Sequence, residues 1–302
     1  MNPPNTHPNT LAPEHLTRRG VLAAAAAVGA SSLAASLPGV AVARESLIVK
    51  GRIKQSVCGG VLRKAKMSLD EECALLWKFG VVGKDLVGPS DWDALKRRGL
   101  VATMVPGAGS INDGLNNKAK HPQLLEEFRK NIKAASDAKW PNVICMAGSR
   151  KGISDEEGMD NCATILKEAV KIAEDGNVTI CMELLNSKVN HPGYMCDRSE
   201  WGFELCRRVG SPRFKMLYDI YHMQIMEGDL IATIRKNINM IGHFHTAGVP
   251  GRHELDENQE INYPAVMRAI AETGYEGYVA HEYTPTGDAV TALIQAIKAC
   301  DV

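Results

Sequence analysis

From residue 53 onward the chain alternates eight times between short apolar, β-rich runs and helical stretches, with no linker between them. Strand candidates at 53–58, 81–87, 100–105, 142–147, 178–184, 214–220, 240–247 and 277–283 are separated by helical stretches near 61–79, 91–98, 121–138, 156–174, 199–208, 227–237, 263–273 and 287–300. Regular alternation of this kind calls for one parallel-stranded domain with helices covering the sheet. Amphipathic spacing is clearest in the fourth helix, where Cys162, Ile165, Leu166, Ala169, Ile172 and Ala173 share a face. Gly80, Gly99, Gly176 and Gly274 fall just past helix ends, where a C-cap glycine belongs. An open doubly wound sheet is the other solution for such a pattern. No strand here runs into a GxGxxG or GxxxxGK turn, so the usual nucleotide sites of open sheets are missing. A closed (β/α)8 TIM barrel, for which about 250 residues is typical, is the simpler account.

The barrel occupies residues 44–302, and residues 1–43 read differently. A polar leader is followed by Thr17-Arg18-Arg19-Gly20-Val21-Leu22 and a run of Ala, Val, Ser and Leu that ends in Val40-Ala41-Val42-Ala43. Twin arginines, a modest apolar stretch and a small-residue end describe a twin-arginine export signal cleaved after about Ala43. Pro38 and the Ala, Gly and Ser content argue against a membrane anchor. The expectation is an exported, periplasmic protein with no stable membrane insertion after cleavage.

Lys and Arg total 35 and Asp and Glu total 35, so no basic excess points to nucleic acid or an anionic membrane. Eight cysteines in an exported chain raise the question of disulfides, but none forms a CxxC pair. Cys58, Cys145 and Cys181 sit in apolar strand-like runs and read as buried thiols. A bridge among Cys196, Cys206 and Cys300 stays open.

The last four strand candidates each end on an acid or an imidazole: TICMELLN with Glu183, FKMLYDIYHM with Asp219 and His222, IGHFHTAG with His245, and GYVAHEYTP with Glu282. In a barrel these C-terminal strand ends build the active face. Side-chain alternation puts Thr179, Cys181 and Glu183 on one face, and Tyr278, Ala280 and Glu282 on one face. His243 and His245 share a face. His245 is nearer the mouth, and His243 lies deeper as a hydrogen-bonded support. Glu183, Asp219, His245 and Glu282 together make a hard, oxygen-rich set suited to Mn²⁺ or Mg²⁺.

Two glutamates flanking a divalent ion suit proton transfer next to a carbonyl, one removing the proton and the other returning it. Such a site needs a further donor for a substrate oxygen, and His222 and Arg252 are the candidates. Arg252 could instead pair with Glu254 or Glu257 on its loop, and Arg150 and Lys151 could meet an anionic substrate.

MELLNSKVNHPGYMCD, LYDIYHMQIMEGDL, IGHFHTAGVPGRHELDENQEINYP and GYVAHEYTPTGD together resemble the hydroxypyruvate isomerase family, within the xylose-isomerase-like (β/α)8 group of sugar isomerases and epimerases. GPSDWDALKRRGLVATM and NVICMAGSRKG extend the resemblance over essentially the whole of 44–302. The resemblance implies metal binding by Glu183, Asp219, His245 and Glu282, an acid/base role for Glu183 and Glu282, and substrate contact by His222 and Arg252. At the His245 position hydroxypyruvate isomerases commonly carry Gln, whereas ketose epimerases of the wider group carry His. The expected activity is a metal-dependent isomerase or epimerase of a small α-hydroxycarbonyl compound or sugar. A lyase for an oxidised sugar or glycoside, a non-catalytic sugar-binding barrel and a DNA-repair endonuclease are the alternatives, the last disfavoured by neutral charge. Barrels of this type form monomers, dimers and tetramers, so a homo-oligomer is compatible with the sequence.

Overall fold

The computed structural model describes residues 46–302, and the expected export signal lies outside the described residues. Eight parallel strands close into a barrel in sequence order: β1 (Lys54–Cys58), β2 (Gly83–Asp85), β3 (Val101–Ala108), β4 (Asn142–Cys145), β5 (Thr179–Glu183), β6 (Phe214–Asp219), β7 (Ile241–Thr246) and β8 (Tyr278–His281). The circle is closed by β8 pairing with β1, Ala280 opposite Ser56. Around it lie α1 (Gly59–Leu62), α2 (Leu69–Phe79), α3 (Trp92–Arg97), α4 (His121–Ala138), α5 (Asp155–Asp175), α6 (Ser199–Val209), α7 (Ile220–Met226), α8 (Leu230–Asn237), α9 (Tyr263–Glu272) and α10 (Ala289–Cys300). None of the described helices is long and apolar enough to cross a membrane.

Two helical stretches differ from the sequence reading. The stretch 61–79 is broken: Lys66 turns left-handed (φ 52°), and Ser68 starts α2 afresh. Ser68 Oγ accepts from the Glu71 amide, while the Glu71 carboxylate accepts from the Ser68 amide at 2.8 Å. This reciprocal capping box makes a second start better satisfied than one continuous helix. After β6, α7 begins at once because Asp219 acts as its N-cap, its Oδ1 accepting from the His222 amide at 3.2 Å. Gly228 and Asp229, both at positive φ, then separate α7 from α8. Of the expected C-cap glycines, Gly80 takes the left-handed conformation (φ 88°), whereas after α5 that conformation falls to Asn177 and Gly176 stays right-handed.

Most apolar burial lies between the strands and the surrounding helices. Inside the barrel the apolar filling is small: Met104, Cys181 and Leu217, with Ile144 against them. Cys181 and Leu217 precede Glu183 and Asp219 by two residues on the same strand faces, so the site rests on this plug. All eight cysteines are free and buried, so no bridge joins Cys196, Cys206 and Cys300.

Candidate active site

The closed barrel brings four strand ends to one point. Glu183 ends β5, Asp219 ends β6, His245 is the penultimate residue of β7, and Glu282 follows β8 directly. One donor atom from each lies within 4.8 Å of all the others. Asp219 and His245 are buried outright, Glu183 nearly so, and the Glu282 side chain keeps 25% of its surface open toward the mouth.

His245 links the set. Its Nδ1 stands 2.8 Å from Glu282 Oε2 and 3.2 Å from Glu183 Oε1. The two glutamates sit in unequal environments. Burial pushes the Glu183 carboxyl up, against the hydrogen bond from His245. Burial also works on Glu282, but the His245 charge, its hydrogen bond and Arg252 outweigh it and hold Glu282 down at about 2. Asp219 is pushed up, again chiefly by burial.

Arg252 reaches the site through a constrained turn. Gly251 and Arg252 both adopt positive φ (92° and 61°), the Arg252 amide donates to the Gly248 carbonyl at 3.0 Å, and its carbonyl accepts from Thr284 N–H at 2.9 Å. A non-glycine residue in this region is strained, and such strain clusters at functional sites. The turn directs the side chain back over the barrel, so Arg252 does not pair with Glu254 or Glu257. Its Nη2 donates to Glu282 Oε2 at 2.6 Å and to Asp219 Oδ2 at 3.2 Å, and its guanidinium lies 5.5 Å from the centre of the Tyr221 ring. Glu254 instead accepts from the Thr286 and Gly287 amides.

His222 is buried beside Asp219 on the first turn of α7. Its Nδ1 accepts from the Asn186 amide at 3.1 Å, which leaves the ring proton on Nε2. That Nε2 has no hydrogen-bond partner and lies 3.6 Å from Asp219 Oδ2. Burial first, then Arg252, holds His222 well below the usual imidazole range, so the ring is neutral. Arg150 is taken up by Asp155 at 2.6 Å and Asp197 at 3.0 Å, and Lys151 stands 3.6 Å from Asp113. Both carry structural pairs away from the four clustered side chains.

A cavity of about 390 Å³ opens beside the cluster, lined by Cys58, Gly60, Arg63, Leu86, Arg252 and Glu282 among others, a size that suits a small molecule.

Residues 92–300 match the xylose isomerase-like TIM barrel family. The chain belongs to this family. It is 33% identical to a human putative hydroxypyruvate isomerase over 190 residues, 63% of this chain and 66% of that protein. It is 38% identical to the 2-oxo-tetronate isomerase of Cupriavidus necator over 117 residues, 39% of this chain and 44% of that protein. These alignments span less than two thirds of each relative. Among solved structures, a family 2 AP endonuclease from Brucella melitensis superposes with a TM-score of 0.70 at 25% identity, covering 80% of this chain and 97% of that one.

Within this family barrel the donor set fits a divalent ion by its own chemistry. Three carboxylates converge on one imidazole nitrogen, and the nearby positive partners are His245 and Arg252. One residue of the site escaped the sequence reading. Asp85, fully buried at the end of β2, has Oδ2 2.8 Å from His245 Nε2 and Oδ1 3.1 Å from His243 Nε2. The strand-end rule that found the other acids applies to it. The apolar pattern of VVGKDLV runs on to Val87, so Asp85 reads as a mid-strand residue.

Proposed function

We propose that the protein is an isomerase or epimerase that transfers a proton next to the carbonyl of a small α-hydroxycarbonyl compound, whether a sugar or an oxo acid. Glu183, Asp219, His245 and Glu282 hold a divalent ion, Mn²⁺ or Mg²⁺ by the hardness of the donors. When bound, the ion supplies positive charge for the oxygens on which an enediolate's charge develops. The observation that carries the reading is the pair of glutamates at the ends of β5 and β8, both within 3.2 Å of one imidazole nitrogen and gathered with Asp219 into one cluster of donor atoms.

The two carboxyls differ in access, Glu183 nearly buried and Glu282 open toward the cavity, which suits them to different tasks. Glu282, held ionised beside His245 and Arg252, accepts the proton of the carbon acid. Glu183, the more deeply buried of the two, returns one. His222 offers its unpartnered Nε2–H to a substrate oxygen, and Arg252 offsets the negative charge of Asp219 and Glu282 at the mouth. The Glu282 side chain, a quarter open, faces the cavity, so the base is the member a ligand meets first. The relatives' names, hydroxypyruvate isomerase and 2-oxo-tetronate isomerase, support this substrate class.

Solvent exchange tests the reading. The protein loaded with Mg²⁺ is incubated in D₂O with hydroxypyruvate, other small oxo acids, ketoses and aldoses, and followed by NMR. Deuterium is expected on a carbon next to a carbonyl, and not with Glu183→Gln or Glu282→Gln. Full exchange by both variants would sink the paired-glutamate assignment.

A further inference from the structure

We infer that Asp85 is a positioning residue: it fixes the His245 ring so that Nδ1, rather than Nε2, faces Glu183 and Glu282. This rests on the reading of the four-residue cluster as a divalent-metal centre. An imidazole can present either nitrogen to an ion by turning over about its Cβ–Cγ bond, and which one it presents is set by the hydrogen bond the other makes. His245 Nε2 has one carboxylate partner, Asp85 Oδ2 at 2.8 Å, on the side of the ring away from both glutamates. With an acceptor there, Nε2 keeps its proton, and the Nδ1 proton, now shared with Glu183 and Glu282, is the one an ion would displace.

Asp85 is itself held from several strands. Its Oδ1 accepts from Thr103 Oγ1 on β3 and faces His243 Nε2 on β7 at 3.1 Å, while Cys58 Sγ on β1 stands 3.7 Å from Oδ2. Thr103 Oγ1 in turn lies 2.7 Å from Ser56 Oγ. Asp85, Thr103, Ser56, His243 and His245 are all fully buried. Held by Thr103 and Cys58 in a fully buried place, the carboxylate offers the His245 ring one fixed acceptor. His243 packs against the same ring in a T-shaped contact, centroids 5.3 Å apart.

One other arrangement of the same atoms is conceivable. Cys58, Asp85 and His245 also place one donor each within 4.8 Å, which would make the imidazole a bridge between two ions. The positioning role needs no deprotonated ring and no thiolate, and burial keeps the Cys58 thiol protonated.

Calorimetric titration of the chelator-treated full chain with Mn²⁺ tests the inference. Asp85→Ala should weaken the Mn²⁺ dissociation constant by roughly 10- to 100-fold, the usual cost of losing such a partner, with unchanged far-ultraviolet circular dichroism. Asp85→Asn keeps one acceptor oxygen and should recover affinity to within a few-fold of wild type, which a generally loosened barrel would not do. Equal affinity in wild type and both variants overturns the positioning role while leaving the metal centre intact. Absence of Mn²⁺ binding by the wild type overturns the metal reading and this inference with it. Binding of two Co²⁺ per chain, with a sulfur-to-cobalt absorption lost in Cys58→Ser, would show the bridged arrangement and overturn it as well.

Discussion

Arg252 and Glu282, separated by 30 residues, are joined by a 2.6 Å hydrogen bond from Nη2 to Oε2. The same nitrogen reaches Asp219 Oδ2 at 3.2 Å, so one guanidinium spans two of the four clustered side chains from outside the barrel wall. The strained turn at Gly251–Arg252 is what permits it.

Lysine should reproduce this contact only in part. Its ammonium can donate to both carboxylates but does not lie over the Tyr221 ring as the guanidinium does. A charge-assisted hydrogen bond is worth about 1.5–3 kcal/mol. Arg252→Ala should therefore lower kcat/KM by roughly 10- to 100-fold, with Arg252→Lys recovering only part of the loss. Steady-state kinetics on the substrate found by deuterium exchange provide the measurement. Wild-type kinetics in Arg252→Lys would show that charge alone matters.

If the four clustered side chains hold a divalent ion as proposed, removing it should cost stability. Without it, Glu183, Asp219 and Glu282 crowd one buried volume. An ion at a hundred times its dissociation constant stabilises the folded state by about 2.7 kcal/mol. For a barrel of this size that corresponds to roughly 5–10 °C in Tm. Differential scanning calorimetry of the chelator-treated protein, with and without excess Mn²⁺, should show that interval, and a Tm indifferent to Mn²⁺ and Mg²⁺ would count against the metal centre.

Asp301 predicts a pH dependence far from the site. Its carboxylate accepts from the amides of Val49 (2.7 Å), Lys50 (3.0 Å) and Gly51 (2.8 Å), tying the segment before β1 to the end of α10. Burial raises its pKa, but the amides of Gly51, Lys50 and Val49 together outweigh burial and hold it below the usual carboxylate value. The folded state thus binds fewer protons than the unfolded one. The stabilisation is present in full above the unfolded pKa of about 3.9 and is lost as the pH falls through the lower folded value. Asp301→Asn should melt a few degrees below wild type at neutral pH, and the gap should narrow as the pH falls below the unfolded carboxylate value of about 3.9. A constant gap across that range would mean that the carboxylate charge contributes nothing there.

The barrel was legible because strand and helix periods alternate strictly, and the four clustered side chains because each closes an apolar run. Geometry hidden in loops was not. Spacing left open whether Arg252 serves the site or pairs with Glu254 or Glu257 on its own loop, because a left-handed turn at a non-glycine residue has no sequence signature that distinguishes it from an ordinary bend. Asp85 was masked by the apolar residues that follow it. The break before α2 was readable in principle, since Ser68 and Glu71 have capping-box spacing, but the apolar pattern across 61–79 is continuous enough to bridge it. Asp219 has two functions, strand-end ligand candidate and N-cap of α7. Only the first shows in a pattern that looks for strands.

Export through the twin-arginine route is a proposal about residues outside those described. If Arg18 and Arg19 form the recognition pair, replacing both with Lys should leave the full-length chain in the cytoplasm. Wild type should be recovered from the periplasm with an N-terminus near Arg44, read by intact mass. Equal periplasmic recovery of the double variant would reject the route.

Gly107 should be the least replaceable glycine of the barrel wall. It lies on β3, where the register against β4 shifts between Val105 and Ala108. A Cβ added there would sit 1.9 Å from the Ile144 carbonyl oxygen and 2.9 Å from its carbon. Both are backbone atoms, so no rotamer change relieves the clash, and β3 must part from β4. Gly107→Ala should cost about 3 kcal/mol or more, at the upper end of overpacking effects, and lower Tm by roughly 6–12 °C. Gly88→Ala is the control, because an added Cβ meets nothing within 4 Å there and the backbone is extended. Thermal melts of the two variants should separate clearly. A Gly107→Ala protein that melts with the control would mean that β3 and β4 stand further apart than this register places them.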